Sequence, residues 1–292
     1  MQITASMVNE LRTKTGVGMM QCKKALTETD GDLDKAVELL RKQGASVAAK
    51  RADKDAKEGR VFLVETPSKA VAFELSCETE PVSKNEDFIA LSNLAVKAVL
   101  EQNIQSVEEM NAAVVDGIKV GDRLQDVLVK IQENISFRKL AVIKYGSNDV
   151  IGLYSHMGGK IGVITRLAFE GTPADIAVLK ATAKDICMQA AAFAPVAVNN
   201  ASVAPDTIEK EREIARAQIV NEGKTRPEFV DRQIEGRIAK VLKEMVLEDQ
   251  EFFMTEKNPK KLSVKDYLSS VGTAQGLKSL AVVEFIRFER GN

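Results

Sequence analysis

Apolar residues recur at helical spacing through the first fifty positions and change to short extended runs soon afterwards, so the chain is predicted to open with helices and continue as helix and strand together. Met7, Val8 and Leu11 share one face of a first helix that Thr4 can cap, and Thr15-Gly16-Val17-Gly18 is predicted to end it. A second helix is predicted from Met19 through Leu26. Asp30-Gly31 turns the chain, Asp32 caps a third helix carrying Leu33, Ala36, Val37 and Leu40 on one face, and Gly44 is expected to stop it.

This three-helix pattern over residues 1–44 resembles a ubiquitin-associated fold, a bundle with little buried area of its own. Residues 45–59 hold alanine and charge with almost no large apolar side chain, which predicts a solvated linker or an exposed helix and a flexibly tethered module. Beyond it, Val61–Val64 and Val71–Leu75 flank Thr66-Pro67-Ser68-Lys69 as a strand-turn-strand signal, and a helix follows from about Glu86 to Leu100. Leu124 to Glu133 reads as helix and Ile135 to Tyr145 as extended. The order repeats: Ile151–Tyr154 and Lys160–Phe169 flank His156-Met157-Gly158-Gly159, and a helix follows from about Ala174 to Ala192. Two related α+β subdomains are expected, at residues 60–145 and 146–292.

Residues 207–250 differ in character. They are densely charged, break at Gly223 and Pro227, and place Ile234, Ile238, Val241 and Met245 on one face of the returning arm, against a thinner stripe of Ile208, Ala215 and Ile219. A slender antiparallel coiled-coil hairpin projecting from the second subdomain is predicted. The chain then passes through Val264–Leu268 to a strand-like LAVVEFIRFE, so the fold class is α+β with a helical module at one end.

Charge and composition narrow the chemistry. A formal net charge of -1 gives no general attraction to nucleic acid or anionic lipid, and neither is expected as a partner. No apolar run reaches the roughly 18 residues of a membrane span, and the N-terminus lacks the order of a signal peptide, so a cytoplasmic protein is expected. Cys22, Cys77 and Cys187 are odd in number and widely spaced, which argues against a disulfide framework and a zinc site and for reduced packing residues. With one histidine, His156, and no Walker loop, GxGxxG or HExxH, no cofactor, bound nucleotide or metal is expected, and an enzyme reading would need a pocket that joins His156 to paired carboxylates.

Two segments remain as candidates for recognition. In Thr15-Gly16-Val17-Gly18-Met19-Met20-Gln21-Cys22-Lys23-Lys24-Ala25-Leu26, adjacent methionines open a helix; neighbours on a helix differ by about 100°, so one is expected in the core and the other is a candidate docking knob with an adaptable side chain. The second segment, Cys77-Glu78-Thr79-Glu80-Pro81-Val82-Ser83-Lys84-Asn85-Glu86-Asp87-Phe88, leaves a strand and enters a helix and should form an exposed corner, with Asn85 as a helix cap and Pro81 as a stiffener. Structural roles account for these residues equally well, and alone they name no function.

Both segments closely resemble the two signatures of the translation elongation factor Ts family, and further likeness lies at Glu133-Asn134-Ile135, Tyr154-Ser155-His156, Lys160-Ile161-Gly162-Val163 and Phe285-Ile286-Arg287-Phe288-Glu289. The resemblance implies a guanine-nucleotide exchange factor that acts on the GTPase elongation factor Tu by binding alone. It also implies that Arg12, Met19, Met20 and Lys23 face the GTPase domain, that Thr79, Glu80, Pro81 and Val82 approach its magnesium and phosphate site, and that Tyr154 and His156, in the second subdomain, meet its third domain. The chain departs from the family where an Asp-Phe pair is usual: Glu80 and Pro81 stand there, which keeps the negative charge on a longer arm and removes the aromatic wedge. The chain also ends soon after its last strand, so a further C-terminal helix found in many relatives is expected to be absent. A binding module that lacks exchange activity is the competing reading, and His156 reads either as a polar loop residue or as an interface residue.

Overall fold

A computed structural model describes residues 3–15, 17–51, 54–222 and 229–292, with side chains of residues 45–51 left aside. The chain is α+β and divides into two compact units: Met1–Val142 with Ser155–Gly162 and Phe288–Asn292, and Ile143–Tyr154 with Val163–Arg287.

The first unit opens with α1 (Ala5–Thr15), α2 (Met19–Glu28) and α3 (Leu33–Arg51). The expected caps form: the Thr4 hydroxyl accepts from Met7 N at 3.3 Å and the Asp32 carboxylate from Lys35 N at 3.0 Å. Val8, Leu11, Val17, Cys22, Ala25, Leu26, Ala36 and Leu40 form the buried core, and Val129 of a later helix completes it. Gly16 of the expected turn lies outside the described residues.

Two expectations are corrected here. α3 runs through Gly44, where it was expected to stop, to Arg51, so residues 45–51 take the helical of the two readings given for this stretch. Gly44 is a packing glycine: a Cβ there would sit 2.7 Å from Gln125 O and 2.9 Å from Val129 Cγ2, so its bare backbone is what lets α3 lie against α7 (Val120–Ile131). Arg41 adds ion pairs to Asp122 at 3.3 Å and Asp126 at 3.8 Å, and the bundle is therefore seated on a helix of the same unit, not merely tethered. A sequence shows that a glycine weakens a helix; it does not show the helix that needs the gap.

β1 (Glu58–Thr66) and β2 (Lys69–Cys77) pair antiparallel with Thr66 opposite Lys69, and β5 (Ser136–Lys144) joins the other edge of β2, giving the order β1-β2-β5. β2 is buried along its whole length, as a central strand covered on both faces should be. α4 (Glu80–Ser83) and α5 (Glu86–Glu101) follow, and Phe73, Leu75, Phe88, Leu91, Ala95 and Leu128 form the centre of this core. The buried Lys69 amine donates to Gln102 O, Asn103 Oδ1 and Ile104 O at 3.0–3.3 Å, which satisfies the end of α5. α6 (Val107–Ala112) and a small hairpin, β3 (Val114–Val115) and β4 (Ile118–Lys119), escape sequence reading; Asp116 and Gly117, both with positive φ, turn it, but two-residue strands are too short to show alternation.

In the second unit, α8 (Ile176–Phe193) buries Leu179, Ala183, Ile186, Cys187 and Ala190. β6 (Asp149–His156), β7 (Ile161–Glu170) and β8 (Ser279–Glu289) form a sheet in that order. The Thr165 hydroxyl donates to Ala183 O at 2.9 Å, and Arg166 links Asp149 at 3.4 Å to Glu284 at 2.8 Å. α9 (Pro205–Glu222) packs on α10 (Val230–Met245) through Ala215, Ile219, Ile234 and Ile238, with Ile208, Val230 and Leu242 half-buried beside them. Leu242 continues the stripe where Val241 was expected, because four-residue steps from Val230 lead to it. The expected breaks at Gly223 and Pro227 lie outside the described residues. α11 (Val264–Ala274) precedes β8, and the Phe252 and Tyr267 rings stack with centroids 4.0 Å apart. All three cysteines are free and buried.

Candidate partner-binding site

α2 buries Cys22, Ala25 and Leu26 and turns its other side to solvent. Arg12, Met19, Met20 and Lys23 are all exposed, Met20 at 78% and Met19 at 46%. The expectation that one methionine enters the core is corrected: Val17, 1% exposed, is the core residue at this end of α2, so both thioethers remain outside. Two apolar side chains beside basic ones on a rigid helix make an adaptable contact surface.

The second segment forms the expected corner. After β2 ends at Cys77, Thr79 takes the N-cap position of α4 in extended conformation, Pro81 lies in the first turn, and Asn85 Oδ1 caps α5 by accepting from Asp87 N at 2.8 Å. Thr79, Glu80 and Pro81 are exposed, while Val82 is half-buried against the core. Glu80 pairs with Lys84 at 2.8 Å, whose hydrogen bond and charge hold the carboxyl below its usual range.

Several contacts around the corner follow from no periodicity in the sequence, although Glu133 and Asn134 lie in a segment of family likeness. Glu133, reached through Gln132 in left-handed conformation at φ 59, accepts from Thr79 N at 3.1 Å and from the Thr79 hydroxyl at 2.8 Å. Asn134 N donates to Glu78 Oε1 at 2.6 Å. Asp87 meets Arg123 at 2.8 Å and Lys130 at 2.9 Å; burial works against its charge, but the two cations outweigh this and lower its pKa. α7 thus supplies Val129 to the bundle and Lys130 to α5, and leads into the residue that holds Thr79. The methionine helix and the corner share one support.

Tyr154 and His156 end β6. Tyr154 is half-buried and belongs to the second unit. His156, on the same strand, falls with the first unit, where Val61 N donates to Gly159 O at 2.8 Å in the turn beyond it. His156 and the neighbouring Met157 are exposed, Met157 at 71% with φ 48.

The family model described as Elongation factor TS matches residues 78–292, the corner and everything after it. Elongation factor Ts of Clostridium perfringens strain SM101 is 42% identical over 294 residues, covering 99% of this chain and 93% of the relative. The chain belongs to the elongation factor Ts family. The Elongation factor Ts proteins of Clostridium novyi strain NT and Nautilia profundicola are 41% and 40% identical, each across 99% of this chain and 93% of the relative. Elongation factor Ts proteins are nucleotide-exchange factors of translation elongation, not catalytic enzymes. Among the described residues, no group of three or more His, Cys, Asp or Glu side chains is arranged to hold a metal, and no helix is long and apolar enough to cross a membrane.

Proposed function

We propose that this protein promotes GDP release from elongation factor Tu by binding the GTPase and disturbing its magnesium and phosphate site. The observation that carries the reading is the exposed pair Met19 and Met20, of which the fold leaves Met20 mostly uncovered and Met19 about half uncovered. Covering one such side chain in an interface is worth about 1.5–3 kcal/mol. In this reading Arg12, Met19, Met20 and Lys23 dock a ubiquitin-associated-like bundle on the GTPase domain, Thr79, Glu80, Pro81 and Val82 approach the phosphate site, and Tyr154 and His156 meet a further domain of Tu. α9 and α10 form a protruding antiparallel coiled coil, and the protein works in the cytoplasm.

Exchange follows from linkage. A factor that binds nucleotide-free Tu more tightly than GDP-bound Tu weakens GDP by the same factor, with no covalent step. Glu80 supplies the negative charge near the metal, and Pro81 enters less deeply than an aromatic ring would. The test is stopped-flow release of a fluorescent GDP analogue from the matched Tu with increasing amounts of this protein. Strong acceleration that Met19→Ala or Met20→Ala reverses supports the reading; binding with an unchanged release rate leaves a Tu-binding module without exchange activity.

A further inference from the structure

We propose that Glu133 is a positioning residue for exchange: its carboxylate fixes Thr79, and through Thr79 holds the Glu80-Pro81-Val82 corner in the pose that the GTPase meets. The inference rests on the exchange reading above.

All three polar groups of Thr79 are engaged. Its amide and hydroxyl donate to the two oxygens of Glu133, at 3.1 and 2.8 Å, and its carbonyl accepts from the Cys77 thiol at 3.2 Å. That thiol keeps its proton, since burial first and the Glu133 charge second push its pKa up to about 12. A threonine at a helix N-cap normally turns its side chain onto the amides of its own first turn. Here no such bond forms: the hydroxyl is directed away from α4 to Glu133, so the arrangement secures the corner to the segment that follows α7 in preference to capping the short helix.

The fixed part and the free part of the corner are distinct. Bonds from two donors to one carboxylate define an orientation as well as a distance, and the neighbouring bond from Asn134 N to Glu78 Oε1 holds the preceding residue in the same way. Among the described residues the Glu80 carboxylate, by contrast, is held by an exposed pair with Lys84, with the charge of Arg290 a lesser influence, and an exposed pair is the kind of contact that a partner can replace at little cost. The backbone is therefore set in advance while the carboxylate of Glu80 can turn toward the partner. Pre-set geometry raises the rate of the step it serves more than it changes how tightly the rest of the surface binds.

The test compares full-length wild type with Glu133→Ala, Glu133→Gln, Thr79→Val and the Glu133→Ala/Thr79→Val double variant in the GDP-release assay, reading the rate at saturation and the half-saturating concentration separately. The expected result is a saturating rate lower by about tenfold in each single variant, a half-saturating concentration within about twofold of wild type, and a double variant no slower than Glu133→Ala alone. Lys97→Ala, which breaks the exposed pair with Asp116 elsewhere in the same unit, keeps the wild-type rate. Should Glu133→Ala fail to fold, Glu133→Gln, which keeps the shape and one acceptor oxygen, decides the matter, since Thr79→Val also alters a residue that itself approaches the partner. Wild-type saturating rates in the variants overturn the positioning role and leave exchange intact, as does a rate loss that only follows a rise in half-saturation or a fall in melting temperature. Failure of the wild type itself to accelerate release defeats the exchange reading and takes the positioning role with it.

Discussion

The N-terminal bundle and the α9–α10 pair are both small helical assemblies, and they solve the problem of a thin core in opposite ways. The bundle borrows: Val129 of α7 completes its core, Gly44 allows the close approach, and Arg41 fastens the contact. Among the described residues the α9–α10 pair buries Ala215, Ile219, Ile234 and Ile238 along its shared face, and is laced outside by Arg212–Glu235, Arg216–Asp231 and Arg237–Glu222. Surface pairs of this kind contribute little each. A module that must present Met19 and Met20 in a defined place needs a platform, whereas two helices held mainly to each other need only register.

Substitutions can break or sharpen this comparison, and the largest effect should come from the bundle's own core. Leu26→Ala removes a side chain with no exposure and should lower stability by about 2–5 kcal/mol in thermal or urea unfolding. Gly44→Ala decides between a seated and a free bundle by its sign. Seated on α7, the added methyl meets the Gln125 carbonyl and should destabilise by about 1–3 kcal/mol; in a free helix it would stabilise by about 1 kcal/mol.

Asp87→Asn probes the platform itself. The folded-state pKa of Asp87 lies below its unfolded value, so the stabilisation is present above about pH 4 and is lost as pH falls through the folded pKa. The variant should be less stable by about 1–2 kcal/mol at pH 7, and urea midpoints of variant and wild type should converge as pH falls below the folded-state pKa of Asp87. Gly236→Ala in α10 is the mirror of Gly44→Ala: nothing lies within 4 Å of the new Cβ, so α10 should gain about 0.5–1 kcal/mol, read as slower hydrogen exchange along the pair. Smallest of all, Arg237→Ala should change stability by less than about 1 kcal/mol, and the difference should vanish in 1 M salt.

The same contrast explains what the sequence made legible. Helix faces, caps at Thr4, Asp32 and Asn85, and the Thr66–Lys69 turn are local patterns, and they appear where expected. Gly44 does not end α3, because its reason sits on α7, some eighty positions away in sequence, and neither methionine of the pair enters the core, because Val17 fills it at that end of α2. The corner at Thr79–Val82 was readable as exposed, but its hold on Glu133 spans 54 positions and carries no periodicity. The resemblance between signatures supplied a functional reading that spacing alone did not.

The three buried thiols lend themselves to a use unrelated to exchange. Cys22 lies in the bundle, Cys77 at the end of β2 and Cys187 in α8, and burial raises the pKa of each, Cys77 and Cys187 to about 12. A thiol-trapping reagent would therefore find little to attack in the native chain, and each adduct, located by peptide mass, would time-stamp the opening of one region. The protein carries its own three-channel recorder of unfolding, and a dye attached through one added surface cysteine would report from that position alone.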